Sequence, residues 1–439
     1  MLFVSICKGW RLAETVDLLL LGAGQLITCR AEKPLRGKQL ADPGIITGGA
    51  LAVRDGRIIA IGNSAELEKK FRDSSVSDII DVEGRVVMPG WVDPHTHAVF
   101  PGYRADEYEA RIRGDSYLEI EKRGGGIKRT VKDLRKIDED RLYELSRRRL
   151  LKMIRSGVTS LEIKSGYGLD IENELKMLRV ISRLSDQLPV DIVSTFMGAH
   201  QKPEENPEGY VKLVVEEMIP EVAETGLARY MDIFCEKGVF DLEETRRIME
   251  AGKANGFGLK AHTDEIYAIG GTELAVELGA VSVEHLTRIT PGGIKALSGS
   301  ETIGILLPAT SFGLASSHFA PARKLVDSGA AIALATDFNP GSNPSSSMPL
   351  AVSIACSQMG LVPAEAINAA TVNAAWSIGL GTETGSLMVG KKGDFVVYDI
   401  EDYREIPARA GLDHSVMVAK EGRMIWERKG FRRESEVGV

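Results

Sequence analysis

The stretch Val86-Val-Met-Pro-Gly-Trp-Val-Asp-Pro-His95-Thr-His97 decides how the rest of the chain is read. Its apolar, β-branched run predicts a buried strand of a parallel sheet, ended by Asp93-Pro94. Two histidines follow at the strand tip. In an extended chain, residues i and i+2 project to the same side, so His95 and His97 can aim two imidazoles at one point. That is a metal-ligand spacing, but such pairs are common as surface or packing residues, so further ligands must come from elsewhere.

Outward from this stretch, between Met88 and about Gly385, apolar strands alternate with loops and helical patterns. The strand candidates are 87–92, 158–163, 191–197, 231–235, 259–262, 281–285, 303–307 and 331–336. Amphipathic runs such as 172–181 and 242–251 separate most of them. The class is α/β. Eight strands with crossover helices predict a TIM-type (β/α)8 barrel over 89–384, whose chemistry sits at the C-terminal strand ends. The gap from Tyr103 to Val158 predicts an inserted helical excursion over the mouth, carrying Arg104 and the flexible triple glycine 124–126. Short alternating strands at 16–21, 49–53 and 57–61, and again at 394–399, 416–420 and 423–426, predict a composite β-rich domain. It is built from 1–88 and 385–439, since strand edges need partners.

The predicted strand ends form a set: His95 and His97, Lys164 with Tyr167, His200, Cys235-Glu236, His262 with Glu265, His285, and Asp337. Five of the seven histidines fall there, while His318 and His414 read as ordinary polar residues. His95, His97, His262 and Asp337 offer three imidazoles and one carboxylate, a set that suits one divalent metal, Zn or Fe, with room for a water. Such an ion lowers the pKa of water and polarises the bond under attack. Cys235-Glu236-Lys237 leaves a second metal open, and Lys164 reads as structural or ring-orienting.

A formal charge of −8, with both signs interspersed, argues against nucleic acid and anionic membrane as partners. Cys7, Cys29, Cys235 and Cys356 lie far apart, which argues against disulfides or a thiolate site and for a reducing, cytoplasmic setting. The apolar run within the first eleven residues is too short for a signal peptide, and no run reaches bilayer length.

The stretches Asp93-Pro-His-Thr-His-Ala-Val-Phe, Tyr117-Leu-Glu-Ile with Gly124-Gly-Gly-Ile, Glu162-Ile-Lys-Ser-Gly-Tyr-Gly-Leu-Asp, Gly198-Ala-His, Asp232-Ile-Phe-Cys-Glu-Lys-Gly-Val-Phe and Ala335-Thr-Asp-Phe-Asn-Pro-Gly span the barrel. In these the chain resembles the amidohydrolase superfamily and, more narrowly, the imidazolonepropionase family of histidine degradation. The resemblance implies a barrel with a β-rich companion, one catalytic metal, and a homodimer. It places the metal ligands on His95, His97, His262 and Asp337. Substrate contacts fall on Arg104, Tyr167, His200 and Glu265, and product contacts on Tyr167, Asn339 and Gly341, with a hydroxyl at Ser342. Ser342, Thr263 and Val283-Glu284 are mild departures that remove no ligand, whereas 311–319 matches poorly.

The implied reaction is hydrolysis of the cyclic amide of 4-imidazolone-5-propanoate to N-formimidoyl-L-glutamate. Arg104 is then the fork for the propionate, Tyr167 and His200 grip the ring, Glu265 or Asp337 shuttles the proton, and His285 helps hold the oxyanion. The alternatives are a deaminase of cyclic amidines, or a non-catalytic scaffold that kept the barrel. Arg104, Tyr167 and Asn339-Pro-Gly argue against the first, and the intact ligand set against the second.

Overall fold

A computed structural model describes residues 15–431 except 73, 116 and 204, so Cys7 and the N-terminal apolar run lie outside the described residues. Two sheets organise the chain. The first takes β1 (Thr15–Ile27), β2 (Ile45–Arg54), β3 (Arg57–Asn63), β4 (Ser75–Asp81) and β5 (Val86–Pro89) from one end of the chain. The second is the barrel: β6 (Trp91–Asp93), β7 (Val158–Lys164), β8 (Asp191–Ala199), β9 (Tyr230–Cys235), β10 (Gly258–Thr263), β11 (Ser282–His285), β12 (Ile303–Leu306) and β13 (Ile332–Leu334). The far end of the chain adds β14 (Phe395–Tyr398), β15 (Ser415–Lys420) and β16 (Arg423–Glu427) to the first sheet, in the order β16-β15-β14-β5-β1-β2-β3, with β4 beside β1.

The run expected as one barrel strand is two strands in different sheets. β5 pairs with β14 and β1, whereas β6 pairs with β7. The break falls at Pro89-Gly90, where proline has no N–H to donate to a ladder. A Cβ on Gly90 would lie 2.3 Å from the Thr159 side chain, so only glycine lets the crossing chain press this close to β7.

Within the barrel, strand faces alternate. Leu161 and Ile163, Ile233, Ala261 and Val283 belong to the large apolar core, while Glu162 and Lys164, Asp232, Lys260 and His262, and Glu284 occupy the intervening positions and form one ion-paired cluster. The eight described barrel strands run in order β13 to β6. The seam between those two ends closes beyond the strands themselves, through a Thr96–Phe338 bridge. There the Asp337 N–H donates to His95 O at 3.0 Å and the His97 N–H to Phe338 O at 2.9 Å. The last strand is shorter than 331–336 because Thr336 turns aside to give its N–H and hydroxyl to the Asp93 carboxylate, at 3.0 and 2.6 Å.

The excursion after β6 is helical, as expected: Ala105–Ile112, Tyr117–Lys122 and Gly126–Leu134, then the crossover helix Glu139–Arg155. Among the described residues, no helix is long and apolar enough to cross a membrane. Cys29, Cys235 and Cys356 are free thiols.

Candidate active site

The seam that closes the barrel also assembles the site. His95 and His97 follow β6, Asp337 follows β13, and the backbone bonds across the seam fix them against one another. His95 Nε2 lies 3.4 Å and His97 Nε2 3.8 Å from Asp337 Oδ1. From β10, His262 brings its ring nitrogen to the same place, so that His95, His97 and His262 offer donor atoms within 4.8 Å of one another. His285, at the end of β11, forms a second such group with His95 and Asp337. Every one of these side chains is buried.

Among the described residues, His95 Nε2 and His262 Nε2 have no hydrogen-bond partner. Leaving buried polar atoms unmatched costs about 1–3 kcal/mol each. Converging lone pairs with nothing between them are the donor set of a cation site, and three imidazoles with one carboxylate are the chemistry of a transition-metal site. Asp337 is steadied by the Thr310 hydroxyl, which donates to Oδ2 at 2.5 Å. Asp264, His285, Leu286 and Asp337 all adopt left-handed φ, between 50° and 73°. Backbone strain of this kind collects where surrounding structure over-determines a site.

Beneath the imidazoles lies a layer of buried charge. Glu284 Oε2 is 2.5 Å from His95 Nδ1 and Asp232 Oδ1 is 3.1 Å from His262 Nδ1. Lys164 reaches both acids and Glu162 besides, and Lys260 Nζ lies 2.5 Å from Glu162 Oε2. Burial would lower the basicity of His95, but the Glu284 charge and the Asp337 contact outweigh it and push the imidazole up to about 9 in the metal-free chain.

Glu265 sits 3.6 Å from His285 Nδ1. Burial first, then the Asp337 and Glu236 carboxylates, push it up to about 8, so it holds a proton near neutrality and can also give it up. His285 is held well below the usual histidine range by burial and by His262, and is neutral. His200 is lowered to about 3 by burial and His262; its Nδ1 lies 3.0 Å from Gly166 O, which orients the ring. It stacks on His97 at 5.0 Å, with Tyr167 5.4 Å from it and 5.7 Å from His97.

The other expected contacts gather around the loop that follows Asp337. Arg104 gives Nε to Glu107 at 2.9 Å and Nη1 to Thr130 at 2.6 Å, and its own N–H donates to Pro340 O at 2.8 Å. Its guanidinium lies directly over Gly341, where a Cβ would fall 1.8 Å from Nη2. Asn339 shapes this loop from within: Nδ2 donates to Asp337 O and to Ser342 Oγ, and Oδ1 accepts from the N–H groups of Gly341 and Ser342. The triple glycine is tied to the same assembly, because the Gly126 N–H donates to Glu107 Oε1 at 2.9 Å.

Sequence reasoning passed over Glu107, Thr130, Glu162, Asp232, Lys260, Glu284 and Thr310. For the barrel residues a signal existed: Glu162 with Lys164 and Lys260 with His262 are charged pairs spaced by two inside otherwise apolar strands. Charge at inward strand positions is the mark of a paired cluster. Glu236, weighed as a bridge to a second metal, instead accepts the N–H groups of Lys237, Ile266 and Tyr267 and pins the loop after β10.

Comparison with known proteins agrees with this architecture. Residues 86–424 match the amidohydrolase family. The imidazolonepropionase of Geobacillus sp. (strain WCH70) is 47% identical over 93% of this chain and 97% of its own length. That of Symbiobacterium thermophilum is 46% identical over 95% and 99%. Among solved structures, an adenosine deaminase from Xanthomonas campestris with bound zinc superposes with a TM-score of 0.70 at 18% identity, covering 94% of this chain and 93% of that one. The E. coli guanine deaminase gives 0.69 at 15% identity over 94% and 100%, and both likenesses concern the fold. With nearly half its residues shared along almost the whole length of such relatives, and with their barrel intact, the chain belongs to the imidazolonepropionase family of amidohydrolases.

Proposed function

We propose that the protein hydrolyses the cyclic amide of 4-imidazolone-5-propanoate to N-formimidoyl-L-glutamate, using one divalent ion held by His95, His97, His262 and Asp337. The observation that carries the metal assignment is the buried group His95, His97 and His262, with Asp337 Oδ1 3.4 Å from His95 Nε2 and 3.8 Å from His97 Nε2, and with the Nε2 atoms of His95 and His262 left without hydrogen-bond partners among the described residues. Zinc or ferrous iron suits three imidazoles and a carboxylate. When bound, such an ion supplies Lewis acidity, lowering the pKa of water and polarising the ring carbonyl.

The chain's own groups do the rest. In its ionised form Glu265 accepts the proton of the attacking water at its carboxylate and returns it to the departing ring nitrogen; with the carboxyl pushed up to about 8, that form grows as pH rises toward 8, and its conjugate acid is strong enough to give the proton back. Neutral His285, beside it, donates a hydrogen bond to the oxygen that gains charge. Tyr167 and His200 flank the ring. The Arg104 Nη2 group, the part not committed to Glu107 or Thr130, takes the propionate carboxylate.

Gly341→Ala tests the placement of Arg104. The added methyl must push the guanidinium aside, and misplacement by about 1 Å costs on the order of 100-fold in catalytic efficiency. The loss is expected mainly in KM, with metal content unchanged. An unaltered KM would remove Arg104 from substrate binding.

The reaction itself is tested by generating the imidazolone from urocanate in situ and following its loss together with formation of the ring-opened product. The deaminase alternative predicts ammonia released from cyclic amidines instead.

A further inference from the structure

We propose that Lys164 is a positioning residue for the metal-binding imidazoles. Its ammonium pins the carboxylates of Asp232 and Glu284, and these hold His262 and His95 at Nδ1 so that both Nε2 atoms face one point. The inference rests on the assignment of His95 and His262 as ligands.

Lys164 projects from β7 and is fully buried. Nζ lies 2.6 Å from Asp232 Oδ2 on β9, 3.0 Å from Glu284 Oε2 and 3.1 Å from Glu284 Oε1 on β11, and 2.9 Å from Glu162 Oε1 on its own strand. An ammonium has three N–H donors and no acceptor. Three carboxylates therefore use it fully, which excludes Lys164 as a ligand or a base while it stays charged.

Each acid then has an oxygen directed at an imidazole: Asp232 Oδ1 to His262 Nδ1 at 3.1 Å, and Glu284 Oε2 to His95 Nδ1 at 2.5 Å. A carboxylate at Nδ1 holds the proton there, leaves the Nε2 lone pair for a cation, and stops the ring from turning. Without Lys164, Asp232 and Glu284 are like charges crowding one imidazole, since Glu284 Oε2 is also 3.5 Å from His262 Nδ1. Lys260 cannot substitute, because it bonds Glu162 and stands 3.8 Å from Glu284. Lys164 thus spans the barrel lumen and sets two ligands from different strands at once.

The test measures zinc affinity by chelator competition, the visible spectrum of the cobalt-substituted protein, and the melting temperature of the metal-free chain, for wild type, Lys164→Met, Glu284→Gln and His262→Ala. The expected result for Lys164→Met and Glu284→Gln is zinc binding about 10–100-fold weaker, with altered cobalt absorption from reoriented imidazoles. A merely structural lysine would lower the melting temperature and leave the affinity and spectrum of the folded variant at wild-type values, and that outcome overturns the proposal. If Lys164→Met does not fold, Lys164→Gln, which keeps a hydrogen-bond donor but removes the ammonium, decides by the same two readouts, and Glu284→Gln shows separately what the carboxylate at His95 contributes. His262→Ala separates the two levels of the argument: unchanged zinc affinity there would refute the ligand assignment itself, whereas lost affinity there with wild-type affinity in the other variants refutes only the role of Lys164.

Discussion

Glu265→Gln is expected to lower kcat by about 100- to 10,000-fold, the usual worth of a positioned proton carrier, while metal content stays at the wild-type level. Glutamine keeps the length and most of the hydrogen-bonding shape of the side chain but cannot take or return a proton. Glu265 is suited to both halves of that exchange because burial and the nearby Asp337 and Glu236 charges push it up to about 8. It belongs to none of the donor groups formed by His95, His97, His262, His285 and Asp337, so the loss should appear in turnover and not in metal binding. Steady-state kinetics with metal analysis on the same sample check both statements. Near-normal kcat would hand the proton to Asp337 and reduce Glu265 to a wall of the pocket.

Trp91→Ala is expected to destabilise the fold by about 3–5 kcal/mol, the range for deleting a fully buried large aromatic side chain. Trp91 opens β6 immediately after the chain leaves the first sheet, and its indole N–H donates to the Tyr398 hydroxyl on β14. The hydroxyl would be left in a cavity without its donor, and Gly157, whose Cβ position lies 3.0 Å from the indole, would lose its packing partner. Because this contact joins the barrel to the sheet made by the two chain ends, urea unfolding measures how far one leans on the other. A loss below about 1 kcal/mol, typical of sites that tolerate truncation, would mean that the two sheets are coupled elsewhere.

The barrel was legible because its strands are apolar runs bounded by turns, and the candidate ligands stood out because histidines cluster at the ends of those runs. Local pattern could not show that 87–92 changes sheets at Pro89-Gly90, since both halves are equally apolar and only their partners, β14 and β7, differ. Nor could it show that the last strand stops at Leu334. That depends on the Asp93 carboxylate capturing Thr336 across the seam, a contact spanning 243 positions. The charged layer under the site was readable in part. Glu162 and Lys164 repeat at the strand period, but that Lys164 bonds acids from two other strands becomes visible only once β9 and β11 face β7.

Asn339 illustrates a different limit. The family resemblance marks it as a ligand contact, and the structure finds both ends of its amide engaged in shaping the Asp337–Ser342 loop. Its influence on substrate would then pass through the placement of Gly341 under Arg104. Arg104 itself reads from sequence as the fork for the propionate, and in the structure Glu107 and Thr130 hold Nε and Nη1 and fix the direction of the remainder.

The most direct test of the account is to strip the protein of metal and titrate zinc or ferrous iron back while following formation of N-formimidoyl-glutamate from the in situ imidazolone. Turnover should be absent at the start and should rise linearly to a plateau at one equivalent. Full turnover in the stripped protein, or a plateau reached only at two equivalents, would contradict a single ion held by His95, His97, His262 and Asp337.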